Sequence, residues 1–334
     1  MNETDLVAGT ATAIGSLPHR DPHAAAALVL RCLPDLPAAP QLPELTVRER
    51  VVAQWAGAIP DVTVLPDGAL QVDARLDPLA ELDTAFTHDT HSGLLTFLDG
   101  AGRQPKPPRR VKLQTAGPLT MGVALMHAGV TADVAFPLAL RVVRSWSRAL
   151  DALVAEALPG AETVLFLDEP GLVRWRNEDA PLDRELAIDA LSSALVVTEG
   201  LSGVHVCGRG DLRLVLDAGP DIVHFDLAML EPEHSVAIAR FLEGGGWIAW
   251  GAVPTHRPVG ERPQPLWNTL LDTWCDLTRR GCDPVRLRTQ ALIAPACGLA
   301  GHGLSQAERA MLLAREIGDR VHDHAAATKL TVGA

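Results

Sequence analysis

Eight short apolar or β-branched runs, each followed by a stretch of helical periodicity, constrain this chain more than any other feature. They fall at residues 9–16, 38–44, 111–117, 163–170, 203–208, 221–227, 247–253 and 291–299. Such alternation is the signature of βα units around a parallel sheet, and eight units close into a (β/α)8 TIM-type barrel, an α/β fold. The runs are almost continuously apolar because strands of such a sheet are buried on both faces. A length of 334 residues, 47% of them hydrophobic, suffices for one large core, so a single domain over the whole chain is expected. The stretch from about 59 to 110 is rich in proline, aspartate and glycine and fits no single βα unit. It is expected to be an elaborated connection between the second and third strands, placed to cover the barrel mouth. Helix starts are signalled by Asp21-Pro22 and by the capping-box spacing Ser305-Gln306-Ala307-Glu308. Residues 131–158 read as one long helix that Pro137 should start, kink or shorten.

Charge narrows the class of partner. With 29 basic against 41 acidic residues the formal charge is -12, which repels phosphate backbones and anionic lipid headgroups. The N-terminus, Met1-Asn2-Glu3-Thr4-Asp5, is acidic where a secretory signal is basic, and no apolar run has the length of a membrane span. A cytoplasmic protein with neither nucleic-acid nor membrane partners is expected. Five cysteines, an odd number scattered over a long chain, do not form the framework of a disulfide scaffold. Reduced thiols, some available as metal ligands, follow.

In such a barrel the reacting groups sit where strands end, and nearly every run ends in polar residues: Ser16, Glu44, Thr115, Asp168 with Glu169, His205 with Cys207, Asp226 and Cys297. His205-Val206-Cys207 is the most informative, because alternate strand residues share a face and would aim an imidazole and a thiol together into the barrel. On that pair alone, core filling is the commoner explanation. Cys297, closing the eighth run, converges on the same axis, and two thiolates with one imidazole select Zn²⁺. Asp226, ending the sixth run, is a candidate fourth ligand. His224 lies deeper on the same face and reads as a supporting or core histidine. Cys32, Cys275 and Cys282 have no partner at metal spacing and read as structural. Asp168 reads as a group aimed into the mouth; Glu169 is left open between such a role and a cap for the next helix, whose first turn would follow Pro170.

Several motifs, in order along nearly the whole chain, resemble the C-terminal catalytic barrel of cobalamin-independent methionine synthase, within the wider uroporphyrinogen-decarboxylase-like superfamily. Ile14-Gly15-Ser16-Leu17-Pro18 is similar to that family's Ile-Gly-Ser-Phe-Pro, and Gly117-Pro118-Leu119-Thr120-Met121 to its Gly-Pro-Val-Thr-Met. Asp168-Glu169-Pro170 matches its Asp-Glu-Pro, His205-Val206-Cys207 its His-x-Cys, and Pro295-Ala296-Cys297-Gly298-Leu299 its Pro-x-Cys-Gly-Leu. The resemblance implies a zinc-dependent transfer of a methyl group to homocysteine. It implies that His205, Cys207 and Cys297 hold the metal, that Asp168 and Glu44 bind the amino group, and that Ile14, Gly15 and Ser16 meet the carboxylate. The chemistry is sensible on first principles, since a free thiol ionises near ~8.5 and coordination to zinc deprotonates it at neutral pH.

The chain departs from the family in three places. Asp226 stands where the family has a glutamate ligand. Pro254-Thr255-His256-Arg257 keeps the histidine of the family's Asp-Ile-His-Ser but not its aspartate, which leaves His256 as a candidate proton relay. An additional N-terminal barrel that helps bind methyltetrahydrofolate is expected to be absent, so the expected partners are a small-molecule thiol and a methyl donor: methyltetrahydrofolate, methylcobalamin as a corrinoid free or on a carrier protein, or another methylated small molecule. Alkyl transfer to another thiol, such as a coenzyme M-like acceptor, and a barrel with a purely structural zinc are the rival readings.

Overall fold

The computed structural model describes residues 5–176 and 180–332; the acidic residues 1–4 of the N-terminal reading lie outside them. A small antiparallel hairpin, β1 (Val62–Val64) with β2 (Leu70–Val72), precedes a six-stranded parallel sheet. That sheet runs in sequence order through β3 (Arg110–Ala116), β4 (Glu162–Asp168), β5 (Leu201–Val206), β6 (Ile222–Asp226), β7 (Trp247–Val253) and β8 (Ala291–Pro295).

Eight strands were expected and six form the sheet. The runs at 9–16 and 38–44 make only isolated parallel bridges, Ala11 to Ile293, Ser16 to Gln41 and Ala38 to Lys112. Those bridges lead from β8 through both segments to β3, so the sheet is curled. The reason they are not ladders is chemical: Pro18, Pro37, Pro40 and Pro43 lack the amide a ladder needs. Gly15, at φ +129, bends the first segment away from strand geometry.

Strand parity divides the buried side chains into two environments. Residues facing outward pack under the helices in a cluster running from Ala11 to Val321. A second cluster of Val164, Phe166, Leu201, Ile222, Trp247, Ala249 and Leu292, with Leu36, fills the inside of the curl. These share parity with Asp168, His205 and His224, which lie farther along the same strands. The interior thus has an apolar floor and a polar tier above it. Gly203 makes room for the floor, since a Cβ there would stand 2.7 Å from the Phe166 ring.

The 59–110 connection holds more structure than its composition suggests: the hairpin, then a helix over His88–Gly102 that was not foreseen. Residues 132–157 form one helix with Pro137 inside it, so the proline neither ends nor shortens it. Asp21 caps the helix Pro22–Cys32 as expected, accepting from His23 N at 2.9 Å. The final helix starts at Leu304, which puts Ser305 inside the first turn instead of at the cap. Among the described residues no helix is long and apolar enough to cross a membrane.

His91 kinks the helix His88–Gly102 and sits buried among Trp55, Phe86 and Trp146, with ring centroids 5.0 to 5.2 Å away. Burial pulls its pKa from the ordinary 6.5 down to about 4. The unfolded chain therefore takes up a proton that the folded one refuses, so stability is complete above pH 6.5 and declines as pH falls toward 4. The expected loss is about 3 kcal/mol. Urea melts across that range should show this acid slope in the wild type and a flatter one in His91→Phe; equal slopes would assign the acid sensitivity elsewhere.

Candidate metal centre

Parity aims His205 and Cys207 to one side of β5 and its end, and the turn after β8 carries Cys297 to the same place. The Cys297 Sγ lies 3.4 Å from Cys207 Sγ and 3.8 Å from His205 Nε2. One ligand atom from each of the three residues lies within 4.8 Å of the other two. The donor set can be tested against zinc, whose bonds of about 2.3 Å to sulfur and about 2.0 Å to nitrogen put tetrahedral ligands about 3.8 Å (S to S) and about 3.5 Å (S to N) apart. Both separations are met within a few tenths of an ångström, and the softness of the donors agrees.

The tautomer of His205 is also suited to coordination. His224 Nε2 lies 3.0 Å from the Pro295 carbonyl, which only accepts, so that nitrogen carries the hydrogen. Burial, followed by the nearby charges of His205 and Lys112, holds the His224 pKa well below its ordinary value, so the ring is neutral and its Nδ1 is an acceptor. In the neutral form of His205, Nδ1, 2.7 Å away, donates to it, which leaves the Nε2 lone pair facing the two thiols. A histidine whose second nitrogen is tied in this way is the usual companion of a metal. The two thiols act on each other: Cys297 is pulled down by the hydrogen bond from Cys207 and by His205, while Cys207 is pushed up by that same bond and by burial.

Asp168 ends β4 in register with His205 and is 5% exposed. Its Oδ1 has no hydrogen-bond partner, and burial raises its pKa to about 6 against the pull of His205 and Lys112. A buried acceptor without a donor is costly in a finished core and is retained where a ligand supplies the donor. Glu169, one residue on, points the opposite way. It accepts from Leu119 N at 2.9 Å, Thr120 N at 2.7 Å and Thr120 Oγ1 at 2.5 Å, at the start of the helix Pro118–His127. Glu169 is a cap, but of the earlier helix Pro118–His127 and not of the turn that follows Pro170, an arrangement made possible by Gly117, where a Cβ would stand 2.1 Å from Glu169 Oε1.

Other expected residues are placed differently. Asp226 stands outside the three-residue ligand group: its Oδ1 accepts from Ala228 N at 2.9 Å and caps the turn Leu227–Met229. Glu44 is exposed on a turn, 3.8 Å from Arg20, because the chain has already left the sheet. The buried carboxylate in that region is Glu49, which accepts from Leu42 N at 2.8 Å and Gly93 N at 3.1 Å. His256 is exposed in a bend after β7. Ile14 and Gly15 are buried, Ser16 half-buried, and Ser16 O accepts from Leu299 N at 2.8 Å, which ties this segment to the turn carrying Cys297. Cys32, Cys275 and Cys282 stand outside the ligand group.

The polar tier contains two residues that motif reading passed over. Lys112, 1% exposed, and Gln114 occupy alternate positions of β3 and face inward. The signal was present as Val111-Lys112-Leu113-Gln114, polar residues at the strand period inside an apolar run.

No protein-family model matches the chain, and no curated protein matches it. Among solved structures it is similar to a B12-independent methionine synthase from Shewanella sp. W3-18-1, determined in complex with selenomethionine. The TM-score is 0.65 at 14% sequence identity, over 96% of this chain and 99% of that one. At that identity the likeness is one of fold alone: this α/β chain, with its curled six-stranded parallel sheet, is similar in fold to that methionine synthase.

Proposed function

We propose that this chain is a zinc-dependent S-methyltransferase whose acceptor is a thiol, homocysteine first, giving methionine. The observation that carries the reading is the meeting of His205, Cys207 and Cys297, from two distant parts of the chain, beside a buried Asp168 oxygen with no partner. The similarity in fold to a methionine synthase supports it. On this reading the six strands and the two bridged segments act together as one (β/α)8 barrel domain in the cytoplasm. Its partners are a small-molecule thiol and a methyl donor of the methyltetrahydrofolate or methylcobalamin class, and Glu44 and His256 become relevant only if their loops reach the site.

Zinc held by the three residues would supply the acidity that turns a coordinated thiol into a thiolate at neutral pH. The protein does the rest. Asp168 accepts from the ammonium group and fixes the acceptor's orientation, the backbone of Ile14 to Ser16 meets its carboxylate, and the His205–His224 pair keeps the imidazole facing the thiols. The apolar floor of Phe166, Ile222 and Leu292 closes the site from below. Methyl transfer is then a displacement that depends chiefly on positioning.

The test is methyl transfer by zinc-loaded protein to homocysteine, with methylcobalamin and methyltetrahydrofolate as donors. Asp168→Asn should weaken homocysteine about 10- to 100-fold, the worth of a hydrogen bond to a charged group. It should leave 4-mercaptobutyrate, which has no amino group, nearly unchanged. Equal loss for both acceptors would favour a thiol of another class. X-ray absorption at the zinc edge should gain a sulfur neighbour on adding homocysteine; an unchanged shell would make the metal structural.

A further inference from the structure

Lys112 is the polar tier's unexplained charge. The chain has three lysines, Lys106, Lys112 and Lys329, and is otherwise basic through arginine. One of the three is 1% exposed inside the sheet. Its Nζ donates to Ile14 O at 2.8 Å and to Gln114 Oε1 at 3.3 Å, and lies 4.6 Å from the centroid of the Phe166 ring. Among the described residues it makes no ion pair. Burial lowers its pKa only to about 8, with Asp168 pulling the other way, so it remains mostly a cation at neutral pH. A buried cation whose hydrogen bonds all go to neutral groups, with no carboxylate in ion-pair contact, is costly unless an anion completes the site.

The contact with Ile14 says where that anion belongs. The Ile14–Gly15 peptide is planar and trans, so a carbonyl directed at Lys112 sends the Gly15 N–H the opposite way. The charge on the carbonyl also strengthens that N–H as a donor. Gly15 is held from below, since a Cβ on it would stand 2.3 Å from the Gln114 carboxamide, and Gln114 Nε2 is itself fixed on Ala39 O at 2.7 Å. Gly15 O and Leu17 N are committed to Gln41, whereas the N–H groups of Gly15 and Ser16 donate to no group among the described residues. Two adjacent amides without an acceptor, with a cation behind the first of them, are available to an anion.

Resting on the amino-acid acceptor proposed above, we propose that Lys112 is the positioning residue for the acceptor's carboxylate, acting through the Ile14–Gly15 peptide. Lys112 and Asp168, on neighbouring strands, then supply the two unpaired charges that an amino acid brings in opposite sign. A purely structural Lys112, pinning the bridged N-terminal segments to β3, would treat all thiols alike.

Calorimetry on the zinc-loaded protein separates the two, using homocysteine, 4-mercaptobutyrate, which keeps only the carboxylate, and 3-mercaptopropylamine, which keeps only the amine. Lys112→Met should weaken the first two about 10-fold or more and the third less than about 3-fold, in line with a lost charge-assisted contact. Equal weakening of all three, or of none, overturns the proposal. Should the variant not fold, the wild type labelled with ¹³C-lysine decides it. The Lys112 ε-carbon signal should move with homocysteine and 4-mercaptobutyrate and stay with 3-mercaptopropylamine; the same shift, or none, with all three overturns it. A wild type that binds none of the three thiols while retaining zinc removes the functional reading, and this inference with it.

Discussion

Replacing Cys297 by serine is expected to lower zinc retention from about one ion per chain to less than about a tenth after mild chelation, the consequence of losing one of the three proposed ligands at a soft site. The hydroxyl remains protonated at neutral pH and is a poor partner for zinc, while Cys207 and His205 alone form an incomplete site. Methyl transfer to homocysteine should fall at least ~100-fold with it, more than substitutions behind a ligand usually cost. Cys275→Ser is the control, since that thiol is exposed on the helix Gln264–Arg279, outside the ligand group. Metal analysis by plasma spectrometry and activity on the same samples check both. Full retention of zinc by the Cys297 variant would remove the metal centre from this protein.

The second large effect is expected on stability. Glu169→Ala leaves Leu119 N, Thr120 N and Thr120 Oγ1 without their buried acceptor. Each unsatisfied buried donor costs about 1–3 kcal/mol, and with some relief by water the total should be about 4 kcal/mol. In a chain of this size that lowers Tm by about 5–10 °C. Glu169→Gln, which keeps one carbonyl oxygen facing the helix start, should recover roughly half of the loss. Thermal melts at fixed zinc content are the measurement, because metal loss would otherwise add to the effect. A Glu169→Ala protein as stable as the wild type would show that the helix Pro118–His127 needs no cap.

The sheet was legible because its strands are buried on both faces, which leaves near-continuous apolar runs such as Val164-Leu165-Phe166-Leu167 that periodicity detects. The two N-terminal runs were legible as extended chain but not as bridged segments, since the prolines at 37, 40 and 43 count as apolar in a pattern while removing ladder donors. The helix His88–Gly102 was missed because its glycines and polar residues dilute its periodicity; it is held by packing against the helix Pro22–Cys32. In the site, alternation along β5 was enough to bring His205 and Cys207 to one face. Glu44 and Asp226 read alike as acids at strand ends, and only coordinates distinguish a carboxylate that turns inward from one that caps its own turn.

Residue order by itself determined the class of fold, the strand positions of the sheet and the three soft donors, because burial pattern and ligand chemistry are local properties written in residue type and spacing. Tertiary structure alone decided that Cys297 approaches Cys207 to 3.4 Å, that His224 orients His205, and that Lys112 stands behind Ile14. Those facts depend on register between strands and on side-chain direction across the interior, which are set by the closure of the whole sheet and by no single segment.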